Sequence, residues 1–170
     1  MANTSRPSGF KPFREILQVT PYVAHEAIYP GDPVKLQGGN ASTSQLNAEV
    51  ALAAAGNAIM GIAASYQGTA GGEVLVYDHP NQLFIAEVNS SDIDSNLDLG
   101  LTIDFVASSP STTYKQSRAV LAGATTGTTT YPFRLLGIVR SVDNALGANV
   151  KAIVSVNNHQ LKGGTGTASV

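Results

Sequence analysis

The stretch from Tyr131 to Leu161 constrains the fold of this chain most strongly, because apolar and polar residues alternate on both sides of a turn. A period of two with many β-branched residues is typical of β-strands. Residues 141–149, SVDNALGAN, are rich in Asp, Asn and Gly, which favour turns. Leu136 and Ile153 make the second face partly apolar as well. The pattern therefore predicts a hairpin covered on both faces, at the centre of a β-sandwich or barrel.

Short apolar or alternating runs recur along the rest of the chain, separated by turn signals such as PGDP and DHPNQ. Residues 49–58, EVALAAAGNA, are ambiguous because alanine favours helix, and we interpret them as a short strand. Gly61 interrupts an apolar run, which indicates a bulge or a close backbone approach. Residues 123–130, GATTGTTT, are predicted to be loop. The sequence thus predicts an all-β chain of seven to nine strands in a single compact sandwich or barrel.

The ends of the chain differ in composition from its middle. Residues 1–15 contain two prolines five positions apart, which exclude a helix and favour an extended N-terminal arm. Phe10 and Phe13 in this arm are candidate anchors on another surface; the alternative is a frayed leader. Residues 16–162 form the predicted β-rich domain, and residues 163–170 a flexible C-terminal tail. We expect a chain without residues 1–14 to fold.

Composition and charge argue against several classes of function. The net charge is −2 and only 13% of residues are charged, without a basic stripe, which argues against nucleic-acid binding. No apolar run approaches the ~18 residues that a membrane span needs, and no apolar signal core follows the N-terminus. The absence of cysteine excludes disulfides and thiolate metal sites. So low a share of charge indicates a surface that is partly covered, or else a simple β-rich composition.

Few residues offer catalytic or metal-binding chemistry. His25, His79 and His159 are isolated from any metal or nucleophile motif, so we interpret them as surface or turn-capping residues. The stretch from Asp92 to Asp98 is similar to the start of a calcium loop, but Leu97 and Ile103 stand where an EF-hand has Gly and Glu. Weak calcium binding there stays an alternative. We therefore assign no catalytic, cofactor-binding or metal-binding residue.

Two segments resemble the capsid decoration or cement proteins of tailed bacteriophages. One is the opening, MANTSRPSGFKP, and the other is the block FRLLGIVRSVDNALGANVKAIVSVNNHQL near the C-terminus. The elements GDPVKL, GIAASY and DHPNQLFIAEV lie between them in the same order as in that family. Together these segments cover roughly half of the chain.

The resemblance implies a non-enzymatic virion protein, made in the host cytoplasm, that cements the outer capsid surface by bridging major capsid protein subunits. It implies no cofactor, no nucleic acid and no membrane, and self-association as a homodimer or homotrimer. A tail-fibre or carbohydrate-binding β module and a hydrolase are the alternative functions. The residues expected to contact partners are those of the arm and of the terminal hairpin loop: Arg6, Phe10, Phe13, Arg14, Arg140, Asp143, Asn144 and Asn149.

Overall fold

The structure, a computed structural model, describes residues 3–38, 48–89, 99–127 and 130–162. This part of the chain contains eleven β-strands and no helix, which confirms the predicted all-β fold. It accordingly has no helix that could span a membrane. The strands are β1 (Lys11–Pro12), β2 (Thr20–Ala24), β3 (Pro33–Leu36), β4 (Glu49–Leu52), β5 (Gly61–Ala63), β6 (Glu73–Tyr77), β7 (Leu83–Glu87), β8 (Thr102–Val106), β9 (Val120–Gly127), β10 (Phe133–Ile138) and β11 (Lys151–Val156).

Six strands form an antiparallel sheet in the order β1-β7-β11-β10-β8-β9. The predicted terminal hairpin is β10 and β11, and it occupies the two central positions. Phe133 pairs with Val156 and Leu135 with Val154, and a β-bulge follows Leu135. A parallel bridge between Val88 and Leu121 joins the end of β7 to β9, so the sheet curls towards closure.

The prediction that this hairpin is covered on both faces is wrong. Phe133, Leu135 and Val154 are fully buried on the inner face, whereas Leu136 on the outer face is 45% exposed. Ile153, also on the outer face, is half-buried. Antiparallel sheets commonly pack one face on the core and leave the other open to solvent. Leu136 and Ile153 therefore lie on the surface, whereas Ile138, which the sequence places on the same face, follows the bulge and packs against the sheet core.

The other five strands close into a small barrel in the order β2-β4-β3-β5-β6. β4 covers Glu49–Leu52, so the strand interpretation of residues 49–58 is confirmed for its first four residues. The predicted close approach at Gly61 is also confirmed, because a Cβ atom there would overlap the carbonyl oxygen of Tyr77. Only glycine lets β5 lie this close to β6.

The described residues form two cores. The sheet core has seventeen buried apolar residues, one of which is Ile62 of the barrel strand β5, and the barrel core has nine. In the sheet core the rings of Phe10 and Phe133 stack with their centroids 4.5 Å apart, and Phe105 packs edge-on against both. The barrel core is mainly aliphatic, with Tyr22 as its one aromatic ring.

The N-terminal segment belongs to the domain and is not an arm laid on another molecule. β1 pairs with β7, and Phe10, only 2% exposed, lies in the sheet core. The Phe10 amide also donates to the carbonyl of Gly31, 3.0 Å away. The prediction that Phe10 anchors a partner is therefore wrong, because the ring fills its own core. Deletion of residues 1–14 is now expected to disrupt folding.

Residues just after β11 join the sheet to the barrel. His159 forms a parallel bridge with Ile59, whose amide bonds to the carbonyl of Asn158 at 3.0 Å. The Leu36 amide donates to Oε1 of Gln160 at 2.7 Å. The Asp92–Asp98 stretch and the predicted tail at 163–170 lie outside the described residues.

The prediction of a loop at residues 123–130 is wrong for residues 123–127. β9 continues through Gly127 and pairs there with Thr102 of β8. Threonine-rich sequence has strand propensity of its own, and the pairing resumes at Thr126 after a register shift that follows Ala122. The number of strands also exceeds the predicted seven to nine.

Candidate functional site

The loop between β10 and β11, residues 139–150, is held by one buried side chain. Asn144 is 7% exposed and donates from Nδ2 to the carbonyls of Val139 and Lys151, at 2.7 and 3.0 Å. Its Oδ1 accepts from the Lys151 amide at 2.7 Å. Both ends of the loop are therefore fixed by the same amide group. The predicted partner residue Asn144 has an internal structural role instead.

The N-terminal segment clamps this loop through Asn3. Its Nδ2 donates to the carbonyls of Ala145 and Ala148 at 2.7 and 2.9 Å, and its Oδ1 accepts from the Ala145 amide at 3.0 Å. The Asn149 side chain reaches back to the Asn3 carbonyl at 3.5 Å. Asn149 itself adopts a φ of +59°, a left-handed conformation that asparagine tolerates better than most residues. Two segments more than 140 residues apart thus form one unit.

Between the segment and the loop lies a cleft of about 430 Å³. Four of the eight residues predicted to contact partners line it: Arg6, Asp143, Asn144 and Asn149. Its other lining residues are Asn3, Thr4, Val142, Ala145 and Lys151. The cleft therefore combines two cations and one carboxylate with amide groups and an apolar rim.

A buried carboxylate fixes the N-terminal wall of the cleft. Glu87 is 6% exposed and accepts from the hydroxyl of Ser5 at 2.9 Å and from the backbone amide of Arg6 at 2.8 Å. These bonds use both carboxylate oxygens. The Arg6 guanidinium stays exposed and forms no ion pair with the residues that the structure describes. It is available to a carboxylate from outside the chain.

The remaining predicted contact residues lie outside the cleft. Phe13 and Arg14 line a separate groove with Leu17 and Gln82, where the Arg14 guanidinium lies 5.4 Å from the centre of the Phe13 ring. Arg140 is exposed near the start of the β10–β11 loop. The residues that the sequence assigns to one contact surface therefore lie in separate places. Four of them line the cleft, and Phe13 and Arg14 line a second groove.

Five lining residues of the cleft were not predicted from the sequence: Asn3, Thr4, Val142, Ala145 and Lys151. Asn3 is part of the opening motif, but nothing local indicates its contact with the loop. Val142 is 96% exposed, and an apolar residue inside the polar turn SVDNALG was a signal that could have been noticed. Lys151 resembled an ordinary outward strand residue. Val142 is an exposed apolar contact point at the rim of a charged cleft.

The histidines have structural roles in the described part of the chain. Nδ1 of His79 accepts from the Asn81 amide, and Nδ1 of His159 from the Leu161 amide, at 3.1 and 3.0 Å. His25 pairs with Glu49 at 3.0 Å. Burial lowers the pKa of His159 to about 4, although the nearby Asp78 opposes this shift. The described residues contain no group of three ligands suited to a metal ion.

The cleft offers recognition chemistry: fixed amides, charged groups without ion-pair partners within the described ranges, and an exposed apolar rim. Such a surface can bind another protein through an apolar contact surrounded by polar groups. The sequence matches no protein-family model, and no curated protein matches it at a significant level. The cleft and the motifs that build it therefore carry the functional proposal.

Proposed function

We propose that this chain is a virion structural protein that decorates an icosahedral capsid and cements it by bridging major capsid protein subunits on the outer surface. One observation carries the proposal. The opening motif and the DNALGAN motif, which together bear the resemblance to phage cement proteins, meet through Asn3 and form one cleft. If this cleft is an interaction site, both motifs, although distant in sequence, contribute to the same interaction.

The shape of the site suits attachment to a preformed lattice. Asn144 and Asn3 hold the loop in place, so binding does not require the loop to become ordered. Val142 and Leu146, 96% and 46% exposed, project apolar surface from the loop. Arg6 and Asp143 supply charges of both signs beside them. Apolar contact would give affinity, and the charges would fix the orientation.

Two of the residues expected from sequence are not among the proposed contacts, and Val142 and Leu146 are new ones. Phe10 and Asn144 are buried and hold the site, whereas Arg6, Asp143 and Asn149 face the cleft. Phe13, Arg14 and Arg140 stay proposed contacts of the neighbouring surface. A cement protein with two separate contact areas could touch two capsid subunits at once, which raises avidity through effective concentration.

Copy number per virion is the most direct test. A cement protein is expected to co-sediment with purified heads in near-stoichiometric amount relative to the capsid subunit, and to raise the temperature at which heads disassemble. A few copies per particle, together with binding to cell-surface glycans, would instead indicate the tail-fibre or carbohydrate-binding module. Turnover of a small molecule in solution would indicate an enzyme.

A pair of loop variants tests the site itself. Val142→Asp combined with Leu146→Asp should reduce occupancy on heads at least tenfold, because two apolar contacts are replaced by charge. Tyr114→Asp is the matched control, since Tyr114 is an apolar loop residue 79% exposed outside the cleft. Equal occupancy of both variants would exclude the cleft as the contact site.

A further inference from the structure

The outer face of the six-stranded sheet is apolar at its centre and basic around it. Strand register places Lys11, Ile85 and Ile153 side by side across β1, β7 and β11. Leu83, Ser155 and Arg134 form the next row. We define the basic face as the apolar residues Phe13, Leu83, Ile85, Leu136 and Ile153 with the cations Lys11, Arg14, Arg134 and Lys151.

The four cations of the basic face are exposed, and none forms an ion pair with the described residues. Glu87 lies opposite Lys151 in the register, but both of its oxygens accept from Ser5 and Arg6. Exposed cations gathered around half-buried apolar side chains and the exposed Leu136 favour a protein surface with the opposite charge. A nucleic acid would bind the cations through its phosphates and would leave the apolar centre without a partner.

The outer face of the barrel has the complementary composition. Register places Glu73, Val23 and Glu49 side by side across β6, β2 and β4, with Pro21 beside Leu75 in the next row. Glu26 lies close by, since it accepts from the Leu52 amide. We define the acidic face as Pro21, Val23 and Leu75 with the exposed carboxylates Glu26 and Glu73; the Glu49 carboxylate is largely buried and pairs with His25.

Net charge differs in sign between the segment that contains the barrel strands and the N-terminal segment. Residues 16–77, which include all five barrel strands, contain four carboxylates (Glu26, Asp32, Glu49, Glu73) and one cation (Lys35), a net charge of −3. Residues 3–15 carry three cations and one carboxylate, a net charge of +2. The two faces carry opposite charge, and their charges are therefore complementary.

We propose that copies of this chain associate head to tail, with the basic face of one copy docked on the acidic face of the next. A two-fold dimer through either face would set like charges opposite each other, which costs free energy. A contact between two different faces is heterologous and builds rings when it closes and chains when it does not. This contact leaves the β10–β11 loop outside the interface.

Sedimentation velocity of the full chain tests the proposal without capsids. The weight-average sedimentation coefficient should rise with protein concentration at about 0.05 M salt and return towards the monomer value at about 1 M, where charges are screened. Lys11→Glu with Arg134→Glu, neither of which lines the cleft, and separately Glu26→Lys with Glu73→Lys, should each weaken association about tenfold or more. An equimolar mixture of the two double variants should associate again, because each supplies the charge that the other lacks.

Arg118→Glu with Lys162→Glu is the control for net charge, since both residues are exposed outside the two faces. It should associate like the unaltered chain, and thermal melting should show that all variants fold. A monomer at every concentration, association that either double variant keeps in full, or a mixture that stays monomeric would each overturn the head-to-tail contact. None of these results would bear on whether the chain binds heads.

Discussion

The sheet and the barrel bury their apolar side chains in different ways. The barrel closes its five short strands on themselves, and its mainly aliphatic core comes entirely from residues 22–76. The sheet leaves strand edges open and needs a residue from the N-terminal segment, Phe10, at the centre of its core. The barrel is thus self-contained, whereas the sheet depends on a distant part of the chain. The candidate site lies between the same N-terminal segment and the β10–β11 loop.

Removal of the Phe10 ring tests this dependence and has the largest expected effect. Phe10→Ala should lower the free energy of unfolding by about 3–5 kcal/mol, because the ring stacks on Phe133 inside a filled core. Phe13→Ala, three residues on and half-buried, is the control and should cost less than about 1.5 kcal/mol. Chemical denaturation of both variants measures the difference. Similar losses would mean that the segment contributes no specific core residue.

A methyl group at Gly61 tests the barrel in the same way. Gly61→Ala should cost about 1–3 kcal/mol, because the new Cβ would overlap the Tyr77 carbonyl and push β5 away from β6. Gly137→Ala is the matched control in the sheet, since nothing lies within 4 Å of its Cβ position. If Gly61→Ala were neutral in thermal melting, the barrel would be looser than its register indicates.

Sequence patterns predicted those parts of the molecule where neighbours along the chain decide the structure. The β10–β11 hairpin follows from alternation and β-branched content. Phe10 could not be assigned, because a phenylalanine between two prolines looks the same whether it fills its own core or a partner's surface. Leu136 shows the converse, since an apolar residue in a strand does not reveal whether its face is covered.

The candidate site was only half predictable for the same reason. Arg6, Asp143 and Asn149 were found because they lie in motifs, whereas the clamp between Asn3 and Ala145 joins residues 142 positions apart. Hydrogen bonds of this kind leave no local pattern in a sequence. Only the folded chain shows that the opening motif and the loop motif form a single site.

Acidification tests the junction between the two regions at His159. Burial sets its folded-state pKa at about 4, below the ordinary 6.5, so the unfolded chain takes up a proton first as the pH falls. The stability that this group contributes is complete above pH 6.5 and is lost as the pH falls from 6.5 to about 4, a loss of at most about 3 kcal/mol.

His159→Gln should flatten this part of the stability–pH profile, because glutamine does not titrate and its carbonyl can still accept from the Leu161 amide. His79→Gln is the control at a half-buried histidine with a similar turn-capping bond. Asp32, whose pKa burial raises, acts with the opposite sign, but its contribution cancels between variant and unaltered chain. If the stability–pH profiles of His159→Gln and of the unaltered chain ran parallel, protonation of His159 would not affect the stability of the chain.

The smallest expected effect on stability is that of Asn3, a residue that forms the candidate site but does not fill the core. Asn3→Ala removes the clamp but no core contact, so the free energy of unfolding should fall by less than about 1 kcal/mol. The amide of Ala145 donates to Asn3 in the intact chain, and its hydrogen exchange should accelerate several-fold in the variant because the loop opens more often. Thr4→Ala, at an exposed neighbour that also lines the cleft, should leave that exchange rate unchanged. If Asn3→Ala destabilised the whole chain as much as Phe10→Ala, the segment would be structural throughout. The division between a core-filling residue at Phe10 and a site-forming residue at Asn3 would then be wrong.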